Sequence, residues 1–186
     1  MSPNRHRDKP YAVVFAGIPG TSKTPIAHYL SCKFNLPILS TDQIRYEVRE
    51  DLLADSINRP DALKEFNKRR DARFEQLLMA KTAFILDGSI DRRWAETKKV
   101  LEAAGYVWFM INIELTKPFL IKLYESTGRT EFANELMDRY LAQHNEFLDM
   151  FSSDINLQIE DKTFADRLEA SAQALAAWRE PGSHVH

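Results

Sequence analysis

Residues 17 to 24 read Gly17-Ile18-Pro19-Gly20-Thr21-Ser22-Lys23-Thr24, and their neighbours narrow what can surround them. An apolar run, Tyr11-Ala12-Val13-Val14-Phe15, precedes them and reads as a buried strand. Pro25-Ile26-Ala27-His28-Tyr29-Leu30 follows and reads as the start of a helix. Pro25 falls in the first turn, where a missing N–H matters least. Strand, glycine-rich turn, Lys-Thr and helix form the layout of a phosphate-binding loop. A helix N-terminus offers unpaired N–H groups and a positive dipole end, and the turn lets those groups wrap an anion. Lys23 is then placed to reach the β- and γ-phosphates, and the Thr24 hydroxyl to hold Mg²⁺. The plainer alternative is an ordinary strand–turn–helix connection that needs glycines for its geometry.

The full pattern, G-x-x-x-x-G-K-[ST], puts glycine just before the lysine, where this chain has Ser22. A side chain there restricts the backbone where the loop comes closest to phosphate. Gly20 compensates in part, because Gly-x-Pro-Gly supplies a tight turn of its own.

With 186 residues the chain suits one domain with a real core, expected over residues 11–180. Residues 1–10 are polar and basic (Arg5, Arg7, Lys9) and read as a flexible arm, and residues 181–186 as a flexible tail. The formal net charge of −2 gives no global basic field to announce a nucleic-acid partner. The one cysteine, Cys32, excludes an intrachain disulfide and a Cys-rich zinc site, and a reducing cytoplasm fits. No apolar stretch approaches the roughly 18 to 20 residues of a membrane span. The N-terminal segment lacks the apolar core of a secretory signal.

Five short apolar runs read as strands: residues 12–16, 37–40, 83–87, 107–113 and 155–159. Helical patterns lie between and after them, over 24–34, 42–53, 61–81, 91–104, 117–126, 131–151 and 164–178. Gly105 is a good C-cap for the fourth. Strands alternating with helices predict a parallel sheet covered on both faces, an α/β/α sandwich of three layers. Ligands in such sheets bind at the carboxyl ends of the strands. That rim holds residues 17–24, 41–45 and 87–89.

Asp42 and Arg45 are three residues apart and share a helix face. A carboxylate here would accept the proton of an attacking hydroxyl, and a guanidinium beside it would fork onto phosphate or carboxylate. The alternative is that Thr41 or Asp42 merely caps the next helix. Asp87 ends an apolar strand, the position of a Mg²⁺-holding aspartate beside a phosphate loop. It also reads as the start of a plain Asp-Gly turn. Gly88 would let a substrate approach the backbone. Thr127-Gly128-Arg129-Thr130 breaks two helical patterns, and Arg129 suits a lid arginine that neutralises a transferring phosphoryl group. Surface charge accounts for Lys122 and Arg139. Lys64, Lys68, Arg69, Arg70 and Arg73 crowd the third helical pattern. They form either a platform for an anionic substrate or a solvated face paired with Glu65, Asp71 and Glu75. His28 and His144 have no partner at ligand spacing and receive no role.

The three segments 17–24, 40–45 (Ser-Thr-Asp-Gln-Ile-Arg) and 86–89 (Leu-Asp-Gly-Ser) occur in an order and at spacings that resemble the P-loop kinases of the adenylate-kinase-like group. The likeness is greatest to the branch with zeta-toxin-like kinases, polynucleotide 5′-hydroxyl kinase domains and small-metabolite kinases, and runs from about Tyr11 to Trp178. It implies the P-loop NTPase fold with a five-stranded parallel sheet in the order 2-3-1-4-5. It also implies ATP, Mg²⁺ and transfer of the γ-phosphate to a hydroxyl or phosphate. Under it Asp42 matches the general base, Arg45 an acceptor-anchoring arginine, and Arg129 loosely a lid arginine. The lid carries fewer arginines than polynucleotide kinases usually show. The expected function is therefore ATP-dependent phosphotransfer to a small molecule or nucleotide, with specificity set by residues 57–79. Two alternatives stay open: a kinase of polynucleotide 5′ ends, and a nucleotide-binding protein without transferase activity.

Overall fold

The computed structural model describes residues 9–53, 56–128 and 135–180. The predicted arm over 1–10 and tail over 181–186 lie outside these residues, apart from Lys9 and Pro10. Five strands, β1 (Tyr11–Ala16), β2 (Ile38–Ser40), β3 (Phe84–Ser89), β4 (Val107–Ile113) and β5 (Leu157–Ile159), form one sheet in the order β2-β3-β1-β4-β5. Every pairing is parallel, with Val13 level with Ile85 on one side and Phe109 on the other. The helices are α1 (Lys23–Phe34), α2 (Thr41–Asp51), α3 (Pro60–Met79), α4 (Trp94–Ala103), α5 (Lys117–Ser126), α6 (Glu135–Phe151) and α7 (Arg167–Arg179). This is the α/β sandwich and strand order expected from the sequence.

All six residues of β1 are buried, because a central parallel strand is covered on both faces. Alternation sorts its side chains. Val13 and Phe15 pack with Ile26 and Leu30 of α1 and Leu175 of α7, while Ala12, Val14 and Ala16 face Trp94 of α4 and Phe147 of α6. Each fully buried side chain of this size stabilises the fold by roughly 1.5–3 kcal/mol. A third cluster, Leu39, Ile44, Val48, Ala62 and Phe66, roots α2 and α3 beyond the end of the sheet.

Some boundaries differ from the sequence pattern, and the reasons lie at the rim. β3 continues past Asp87 to Ser89. α4 starts at Trp94, not residue 91, because the Asp91 carboxylate binds the backbone N–H of Gly17 and the ring of His144. Likewise α7 starts at Arg167, after a turn in which Thr163 N–H bonds the Glu160 carbonyl.

Candidate active site

The loop after β1 is closed on itself. Lys23 Nζ donates to the carbonyls of Gly17 (2.8 Å) and Ile18 (2.6 Å) and to Thr21 Oγ1 (3.2 Å). Thr21 Oγ1 donates to the Ile18 carbonyl, and the Tyr124 hydroxyl of α5 donates to the Pro19 carbonyl at 2.6 Å. Lys23 and Thr21 are buried although both are polar. Gly17 has φ +123°, and a Cβ there would lie 2.6 Å from the Ile113 carbonyl oxygen, so both conformation and packing require glycine. The result is a tight ring at the head of α1, closed by the Lys23 ammonium.

Ser22 does not behave as a gap in the pattern. It adopts the left-handed conformation natural to glycine, with φ 71° and ψ 27°. Its hydroxyl accepts a 2.9 Å hydrogen bond from Arg167 Nε at the start of α7. Arg167 also donates to the Phe164 carbonyl and lies 4.2 Å over the Phe164 ring. Burial holds the guanidinium below its ordinary pKa. A strained backbone is thus combined with a tether that glycine could not make.

Thr24 and Asp87 meet at the rim. Thr24 Oγ1 donates to Asp87 Oδ1 at 3.1 Å, and Ser40 Oγ stands 3.4 Å from the other carboxylate oxygen. Asp87 is 3% exposed. Burial pushes its carboxyl above the usual carboxylate range against the pull of the Thr24 hydroxyl, and the charge of Asp42 adds to the rise. A buried carboxylate raised by burial and by a second carboxylate suits a cation. Among the described residues no three His, Cys, Asp or Glu side chains converge on a metal position. One carboxylate and one hydroxyl fit Mg²⁺, which keeps waters and takes its remaining ligands from phosphate.

Asp42 stands in the first turn of α2, ion-paired with Arg45 at 2.6 Å on an exposed face. It is not the cap: Ser40 accepts from Gln43 N–H. Thr41 is not the cap either, because its hydroxyl donates to the Asp87 carbonyl at 3.1 Å. Gly88 admits that contact, since a Cβ there would lie 2.7 Å from Thr41 Oγ1. Arg45 also stacks 5.3 Å over Phe66. Of the predicted lid tip, Thr127 and Gly128 follow the end of α5, and Arg129 and Thr130 lie outside the described residues.

Three residues near the rim, Asp91, Arg93 and His144, received no role from the sequence. Asp91 Oδ1 accepts from Gly17 N–H (3.0 Å) and from the Ser89 hydroxyl (2.8 Å), while Oδ2 pairs with His144 Nδ1 at 2.7 Å. Burial pushes the Asp91 carboxyl up, but the His144 ring and the other donors outweigh it and hold it below its ordinary value. His144, given no role from spacing, therefore ties α6 through Asp91 to the first loop glycine. The partners are 53 residues apart, so no local pattern announces them. Arg70 and Arg93 line a cavity of about 80 Å³ beside the ends of β2 and β3. The other cations of α3 are largely paired, Arg69 with Glu65 and Asp51 and Arg73 with Glu47, as expected of a solvated face.

No protein-family model matches the chain, and no curated protein matches it in sequence. Solved structures do match. Shikimate kinase from Aquifex aeolicus is similar with a TM-score of 0.59 at 15% identity, covering 92% of this chain and 99% of that one. A structure from the PezAT toxin–antitoxin system of Streptococcus pneumoniae gives 0.59 at 15% identity, covering 96% and 81%. The chain has the P-loop kinase fold. A third neighbour, the APS kinase of Mycobacterium tuberculosis solved with AMPPNP and APS, gives 0.57 at 14% identity over 90% and 98%. At these identities the likeness concerns the fold, and the branch nearest this chain is not distinguished.

Proposed function

We propose that the protein is an ATP-dependent phosphotransferase acting on a small molecule or nucleotide. The observation that carries this is the closed loop with Lys23 turned onto its own carbonyls, 2.6–2.8 Å away, beside the Thr24–Asp87 pair. Residues Gly17, Ile18, Pro19, Gly20, Thr21 and Ser22 would cradle the phosphates with backbone N–H groups. Lys23 would exchange its carbonyl partners for phosphate oxygens. Thr24 and Asp87 would hold Mg²⁺, which supplies charge neutralisation on the phosphate when bound. The kinase fold of the structural neighbours supports the same reading.

Asp42 is the proposed base. It is solvent-reachable, belongs to no cap, and lies close enough to Asp87 for the two charges to be felt. Arg45 holds its carboxylate and would orient the acceptor, and Arg129 is proposed as a lid cation. The net charge of −2 favours a small acceptor over a polynucleotide end. Among the described residues no helix is long and apolar enough to cross a membrane.

The test is paired, a nucleotide titration and a single-turnover transfer rate on Asp42→Asn with ATP labelled at the γ-phosphate. ATP affinity should stay within a few fold, and transfer should fall by about 10²-fold or more. A near-wild-type rate removes Asp42 from the mechanism. Efficient, steeply salt-dependent labelling of 5′-hydroxyl oligonucleotides by the wild type would point to the polynucleotide reading instead.

A further inference from the structure

A cavity of about 80 Å³ reaches Thr41 and Gly88, the chain neighbours of Asp42 and Asp87, and its walls have two characters. Leu39, Phe74, Leu86 and Ile90 form an apolar side. Arg70 and Arg93 enter from α3 and from the N-cap position of α4. Among the described residues the Arg93 guanidinium makes no hydrogen bond and no ion pair. Arg70 is only 15% exposed, lies 5.5 Å over the Phe66 ring, and is neutralised by its neighbour Asp71, which is itself 62% exposed. The N-terminus of α4 has no side-chain cap, and Thr97 of that helix also lines the cavity, so the positive end of its dipole faces the same space. Asp71 also lines the cavity and Arg93 is exposed at its edge, so the lining sets two guanidinium groups against one carboxylate, and with the helix dipole this excess of positive charge favours an anion. The volume is room for roughly six water-sized positions, on the scale of 10–15 Å³ for one water. That suits a compact molecule.

Resting on the phosphotransferase reading above, we propose that the acceptor is a compact hydroxylated oxyanion, carrying a carboxylate or a phosphate, that docks its anionic group on Arg93 and Arg70. Its hydroxyl then lies against Thr41 and Gly88, which line the cavity and adjoin Asp42 and Asp87 in the chain. The O–H proton passes to Asp42 as the hydroxyl oxygen bonds to the γ-phosphorus. The bond to the bridging oxygen breaks, and its electron pair leaves with the nucleoside diphosphate.

The experiment uses probe pairs that differ in charge: glycerate against glycerol, gluconate against glucitol, and ribose 5-phosphate against ribose, with uridine monophosphate against uridine as the nucleotide arm. Each is titrated calorimetrically into the full-length protein held with a non-hydrolysable ATP analogue and Mg²⁺, and assayed for γ-phosphate transfer. At least one compact anion should bind and exceed its neutral partner by tenfold or more, and the preferred pair separates carboxylate from phosphate recognition. Arg93→Ala should cost about 10- to 100-fold in acceptor affinity, the range for a charge-assisted hydrogen bond, and appear in KM more than in kcat. Arg93→Lys should recover part of it, because charge returns without the fork. Neutral probes bound as well as anions, a wild-type-like Arg93→Ala, a preference for uridine monophosphate, or no anionic probe binding at all each overturn the proposal. A wild-type protein that binds no ATP–Mg²⁺ defeats the phosphotransferase reading itself and takes this one with it.

Discussion

Replacing Ser22 separates two effects of opposite sign. The first is strain: a non-glycine residue at φ 71° costs on the order of 1–2 kcal/mol. The second is the 2.9 Å hydrogen bond that Arg167 Nε donates to the serine hydroxyl. Bonds to charged groups contribute about 1.5–3 kcal/mol, and this one belongs near the low end because Arg167 is only partly buried. Ser22→Ala keeps the strain and loses the bond, so it should destabilise by about 1.5 kcal/mol. For a chain of this size that lowers Tm by about 3–6 °C. Ser22→Gly loses the same bond and relieves about 1 kcal/mol of strain, so its Tm should stay within about 2 °C of wild type. In an Arg167→Ala background Ser22→Ala should be nearly silent, giving a coupling energy of about 1 kcal/mol or more. Thermal denaturation of the four proteins of the cycle, with Ser22→Gly added, measures all of this. A Ser22→Ala protein as stable as wild type, or an equal loss with and without Arg167, would refute the tether. Nucleotide affinity of Ser22→Gly should be equal to wild type within a few fold, since the left-handed turn that shapes the loop is retained.

The two rim carboxylates should respond to pH with opposite signs. Asp87 has a raised pKa in the folded state, so its ionised form works against the fold and its protonation favours it. Asp87→Asn should therefore leave the ligand-free protein as stable as wild type or more so, with the difference shrinking as pH falls through the raised pKa. The same variant should lose the Mg²⁺-dependent part of ATP stabilisation, which for wild type at a hundredfold excess over Kd is about 2.7 kcal/mol. Asp91 has a lowered folded pKa, so its contribution is complete above the ordinary carboxylate value and disappears as pH falls through the lowered one. Asp91→Asn should cost about 1–3 kcal/mol near neutrality, and the gap to wild type should close in acid. Urea denaturation at several pH values reads both, and a gap for Asp91→Asn that widens on acidification would contradict the assignment.

Much of the fold was legible because its signals are local. Buried parallel strands appear as apolar runs, and the loop segment 17–24 joins β1 to α1 within a few residues. At the rim the sequence pattern puts Lys23, Thr24, Asp42 and Asp87 just after or at strand ends, and the structure has them there. What the pattern missed depends on distant partners. The Asp91–His144 pair spans 53 residues, and Ser22 meets Arg167 across 145. Arg93 is indistinguishable in sequence from surface charge, and only the packing of α3 against the ends of β2 and β3 gives it a cavity to face. Gly88 showed the converse: its need for space was readable, but the group filling that space, the Thr41 side chain, was not.

The central claim is that residues 17–24 hold ATP–Mg²⁺, and calorimetric titration of wild type and Lys23→Ala tests it most directly. Lys23 is buried against the loop carbonyls, where its ammonium would be transferred to phosphate. Charge-assisted bonds of about 1.5–3 kcal/mol predict that Lys23→Ala weakens ATP–Mg²⁺ at least tenfold, while circular dichroism reports an intact fold. Equal affinity in the two proteins would contradict the phosphate-loop assignment.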